Sequence, residues 1–76
     1  MMNDESVSRA IRADYAWGAA REAYGRAKAF AEIDPSKANL AAKAAATADV
    51  ERTFADFNTT LKVAGFGPMP GDGFGV

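Results

Sequence analysis

The sequence predicts an all-α protein: a two-helix antiparallel hairpin followed by an extended C-terminal tail rich in Gly and Pro. Three observations predict it. Apolar residues recur at the alternating 3–4 spacing of a helical face through two long stretches. Only Asp34-Pro35 interrupts them. Beyond Ala64, the remaining segment holds five of the seven Gly and two of the three Pro. The helices are expected over about residues 6–33 and 35–64, so that residues 1–64 form the hairpin and 65–76 the tail.

In the first helix, Ala13, Ala16, Ala20, Ala23, Ala27 and Phe30 mark one face, made mostly of methyl groups. Trp17 and Tyr24, seven apart, flank that stripe, while Asp14, Arg21 and Lys28 repeat at the same interval farther round. Asp4 and Ser6 both suit the N-cap, and an acidic start favours the positive end of the helix dipole. Asp34-Pro35 ends the helix near Ile33, because Pro pushes the residue before it out of the α region and lacks an amide hydrogen. The same pair can restart the chain, with Asp34 as N-cap and Pro35 at the first helical position.

The second helix carries the strongest pattern: Leu40, Lys43, Thr47, Val50, Phe54, Phe57, Leu61 and Ala64. Its bulky members lie in the C-terminal half. Gly65 stands where a left-handed residue would end the helix, which sets Phe66 opposite Leu61 in a Schellman arrangement. Folding the helices back about Asp34 sets Phe54 near Asp14, Phe57 near Ile11 and Leu61 near Val7. Two helices cannot enclose all their own apolar surface, so self-association or burial against a larger partner is expected. Eighteen of the 76 residues are Ala, and Leu, Ile, Val and Phe together number thirteen, which makes the core thin.

The inventory excludes much chemistry. With no Cys and no His, the chain has no disulfide, thiol nucleophile, imidazole base or Cys/His zinc site. No cofactor or metal is expected, and the protein is read as not an enzyme. Carboxylates remain as general bases, and Asp49, Glu51 and Asp56 cluster around Arg52, but i, i+3 and i, i+4 spacings place Asp49 and Asp56 on either side of it, which describes a solvated ion-pair ladder. Nine Lys and Arg against ten Asp and Glu give a net charge of −1. No positive field therefore gathers nucleic acid or an anionic membrane. No stretch reaches the roughly 18 consecutive apolar residues of a membrane span, and the acidic N-terminus does not resemble a signal peptide. The expected location is cytoplasmic or within a virion.

Trp17 and Tyr24 could form an aromatic ledge around Arg21, or pack on a neighbouring helix; the second reading is favoured. Gly18 and Gly25, seven apart within a helix, suggest either the approach of another backbone or simple tolerance. The tail carries three apolar anchors, Phe66, Met69 and Phe74, on a segment that cannot fold alone. Such a segment is a disordered end or a strap across a partner, and Phe74 between glycines is expected to lack packing within its own chain. Partner-binding residues are therefore expected to be Trp17, Tyr24, Val50, Phe54, Phe57, Leu61, Phe66, Met69 and Phe74. The function expected is a structural or assembly subunit docking on a larger protein complex, with a minor bacteriophage virion component as its concrete form. The alternative is a small protein inhibitor or regulator of a host enzyme.

Overall fold

The computed structural model describes residues 4–74. Residues 1–3 and 75–76, the outer ends of the expected hairpin and tail, lie outside the described residues. Helix α1 spans Asp4–Ile33 and helix α2 spans Lys37–Val63. Ser6 and Arg9 share a groove with Thr59, Thr60 and Val63 at one end. Trp17 meets Phe54 and Phe57 in the middle, and Asn39 Nδ2 lies 3.5 Å from the Phe30 carbonyl near the turn. Early residues of α1 thus meet late residues of α2, and the helices run antiparallel in a rod measuring 51 × 19 × 15 Å.

The helix ends follow local chemistry, with two corrections: α1 already contains both Asp4 and Ser6 instead of starting on either as its cap, and α2 restarts later than expected. Asp34 N–H still donates to the Phe30 carbonyl at 2.9 Å, so α1 closes where Pro35 requires. The restart comes later than Asp34. Ser36 is the N-cap of α2, in extended conformation (φ −66°, ψ 161°), and its hydroxyl accepts from Asn39 N–H at 3.1 Å. A serine two residues on satisfies an orphan amide of the first turn, while the Asp34 carbonyl is held by Asn39 Nδ2 at 2.9 Å. At the far end, Phe66 N–H donates to Leu61 O at 2.8 Å and Gly65 N–H to Lys62 O at 3.2 Å. With Gly65 at φ +92°, this is the expected Schellman closure.

The buried face of α1 is rotated from the alanine stripe. Ala10, Trp17, Ala20 and Ala31 are buried, with Ala13, Tyr24 and Ala27 half-buried, whereas Ala16, Ala23 and Phe30 are exposed. The physical reason is area. Turning the helix to bury Trp17 and Tyr24 removes far more apolar surface from water than burying the methyls of Ala16 and Ala23. On α2 the expected stripe holds from Val50 to Ala64, while Leu40 is half-exposed. The core cluster is Trp17, Ala20, Val50, Phe54 and Phe57, with Ala13, Tyr24, Leu61 and Phe74 packed against it.

Candidate functional site

Trp17 is the centre of the molecule's aromatic cluster. Side chains on a helix lean toward its N-terminus, so in an antiparallel pair Trp17 and Phe54 lean toward one another between their backbone levels. The indole lies 5.0 Å from the Phe54 ring at a tilt of 39° and 5.5 Å from the Phe57 ring, stacked at 23°. Arg21, one turn along α1, places its guanidinium carbon 4.0 Å from the Trp17 ring centroid, a cation–π geometry. That stacking buries Arg21 Nε without a hydrogen-bond partner. The expected packing of Trp17 on a neighbouring helix is observed, and the neighbour is α2 of the same chain.

The tail completes this cluster. It holds no helix or strand among the described residues, yet it folds back over the hairpin. Met69 N–H donates to Asn58 Oδ1 at 2.9 Å, and the buried Trp17 Nε1–H donates to Gly73 O at 2.9 Å. Phe74 meets Tyr24 edge-on at 5.0 Å. Phe74 N–H donates to Asp72 Oδ1 at 3.0 Å, an Asx-type turn. The expectation that Phe74 lacks packing within its own chain is therefore corrected. Gly73 beside it gives no side-chain cover, but it lets the backbone drop onto Phe54, which carries Phe74 to Tyr24.

The nine residues singled out as partner-binding divide into three groups. Trp17, Val50, Phe54 and Phe57 are buried in the chain's own seam, Val50 completely, and present almost no surface. Tyr24, Leu61 and Phe74 are half-buried. Phe66 and Met69 are exposed, at 47% and 42%.

Apolar surface concentrates elsewhere. At the hairpin tip, Phe30, Ile33 and Leu40 are 61%, 82% and 50% exposed. At the open end, Val7, Ala10, Ile11, Asp14, Phe57, Leu61 and Phe66 line a shallow groove. The tip residues were missed because Phe30 and Leu40 fit the 3–4 stripes. Taking the phase of α1 from Trp17 and Tyr24 instead would have set Phe30 outside the seam.

Asp14, Arg21 and Glu22 line an open concavity on α1 with Tyr15, Gly18 and Ala19, while the ion pairs among the described residues lie apart from it. Arg52 pairs with Asp49 at 3.4 Å and with Asp56 at 3.9 Å, and Arg9 with Glu5 at 2.6 Å, all on exposed helix surface. No group of three or more His, Cys, Asp or Glu able to hold a metal ion occurs among the described residues. None of the described helices is long and apolar enough to cross a membrane. An added Cβ at Gly18 or Gly25 would meet nothing within 4 Å, so none of the described residues makes the close approach considered for that pair. No protein-family model, curated protein or solved structure matches the chain.

Proposed function

We propose that this protein is a non-enzymatic assembly subunit that docks on a larger protein through the apolar tip of its hairpin. The observation carrying this reading is the exposure of Phe30, Ile33 and Leu40 around the α1–α2 connection. These are large side chains whose burial stabilises a contact by roughly 1.5–3 kcal/mol each, and the thin core leaves them in water. Docking through the helical seam is less favoured, since Trp17, Val50, Phe54 and Phe57 already bury one another. The exposed ion pairs of Arg52 with Asp49 and Asp56 support a solvated role for those carboxylates rather than a catalytic one. A minor structural component of a bacteriophage particle remains the concrete form of this proposal, on size and architecture.

The test is native mass spectrometry of the protein from its natural source, with wild type compared against Ile33→Asp/Leu40→Asp. Incorporation into a large particle that falls at least tenfold in the variant supports the reading. A stoichiometric complex with one soluble enzyme supports an inhibitor instead. Equal incorporation of both forms removes the tip from the interface.

A further inference from the structure

Residues 65–72 are exposed, after which Gly73 is buried and Phe74 half-buried, so the tail is held mainly at its last described residues. Each contact there selects a chemical feature. Trp17 Nε1–H requires a backbone carbonyl at Gly73. Phe54 excludes any side chain at that position, since a Cβ on Gly73 would lie 2.8 Å from Phe54 Cβ and Cγ. The φ of +93° at Gly73 is a second, independent reason for glycine. Tyr24 receives an aromatic ring at the next residue, and Asp72 folds the turn that presents it. The walls of the seat are side chains of α1 and α2, so they do not depend on the segment that leads the tail there.

We propose that the seat formed by Trp17, Phe54 and Tyr24 is a peptide-binding site for an Asp-Gly-aromatic segment, filled in cis by Asp72-Gly73-Phe74 and open to the same segment from a second copy of the chain. The exposed stretch 65–72 can span roughly 26–29 Å when extended, enough for the end of the tail to leave its seat without disturbing α2. A short flexible tether gives an effective concentration on the order of millimolar. The cis tail therefore holds the site in dilute solution, and exchange between copies sets in where the chain is crowded in an assembly. This site is independent of the docking tip, since it rests on the seam and the tail alone.

The experiment uses full-length Gly73→Val, in which the side chain meets Phe54 and disfavours the positive φ. Trp17 emission is expected to move to the red and become accessible to acrylamide, with helical circular dichroism unchanged. A synthetic Pro70–Val76 peptide at tens of micromolar is expected to reverse both changes. Peptides carrying Gly73→Ala or Phe74→Ala should bind at least tenfold more weakly, and the wild-type chain, its seat already filled, should not respond. If Gly73→Val loses helicity, Asp72→Ala/Phe74→Ala in the full chain is used in the same way. Unchanged Trp17 emission, equal binding of the altered peptides, or an equal response from wild type overturns the proposal. So does loss of helicity in both variants, because the seat would then not exist without its tail.

Discussion

The indole N–H of Trp17 donates to the carbonyl of Gly73 at 2.9 Å, joining the middle of the first helix to a residue 56 positions later. Both partners are buried, so neither can turn to water when the other is removed. Trp17→Phe keeps an aromatic ring against Phe54 and Phe57 but leaves the Gly73 carbonyl without its donor. A stability loss of about 1–3 kcal/mol is expected. Denaturant melts should record it, together with faster amide exchange at Phe74; unchanged stability and exchange would mean that the bond holds nothing in place.

Phe54→Ala and Phe57→Ala are expected to be the most damaging single changes, each about 3–5 kcal/mol because each removes a buried ring packed on Trp17. Asp49→Ala and Asp56→Ala lose only exposed pairing with Arg52 and should cost below about 1 kcal/mol. Thermal midpoints compare the four directly, and equal shifts would contradict the seam.

Gly18→Ala and Gly25→Ala should each stabilise the isolated chain by up to about 1 kcal/mol, since both lie inside α1 with open space at the Cβ position. Destabilisation of the isolated chain at either site would contradict that open space. If the substitutions stabilise the chain but weaken its incorporation into a native complex, a partner backbone approaches there.

Ser36→Ala should cost about 1 kcal/mol through loss of the bond from Asn39 N–H. Asp34→Ala should cost less, because its side chain caps nothing and its backbone carbonyl, which survives the change, is what Asn39 Nδ2 contacts. Urea midpoints of the two variants give the order, and the reverse order would return the cap to Asp34.

Much of the architecture is local chemistry and was legible in the sequence. Pro35 closes α1, Gly65 closes α2 in a Schellman turn, and the spacing of Val50, Phe54 and Phe57 marks the face that α2 buries. Each rests on a backbone preference or a side-chain period that acts within a few residues. The rotation of α1, the partner of Trp17 and the seat of Gly73 and Phe74 were decided only by tertiary structure. An alanine-rich helix has several nearly equivalent apolar faces, and the aromatic rings of α2 select the one that brings Trp17 and Tyr24 inward. Gly73 could be read along the chain only as a turn, because what demands glycine there is Phe54, a side chain on another element, 2.8 Å from where a Cβ would stand.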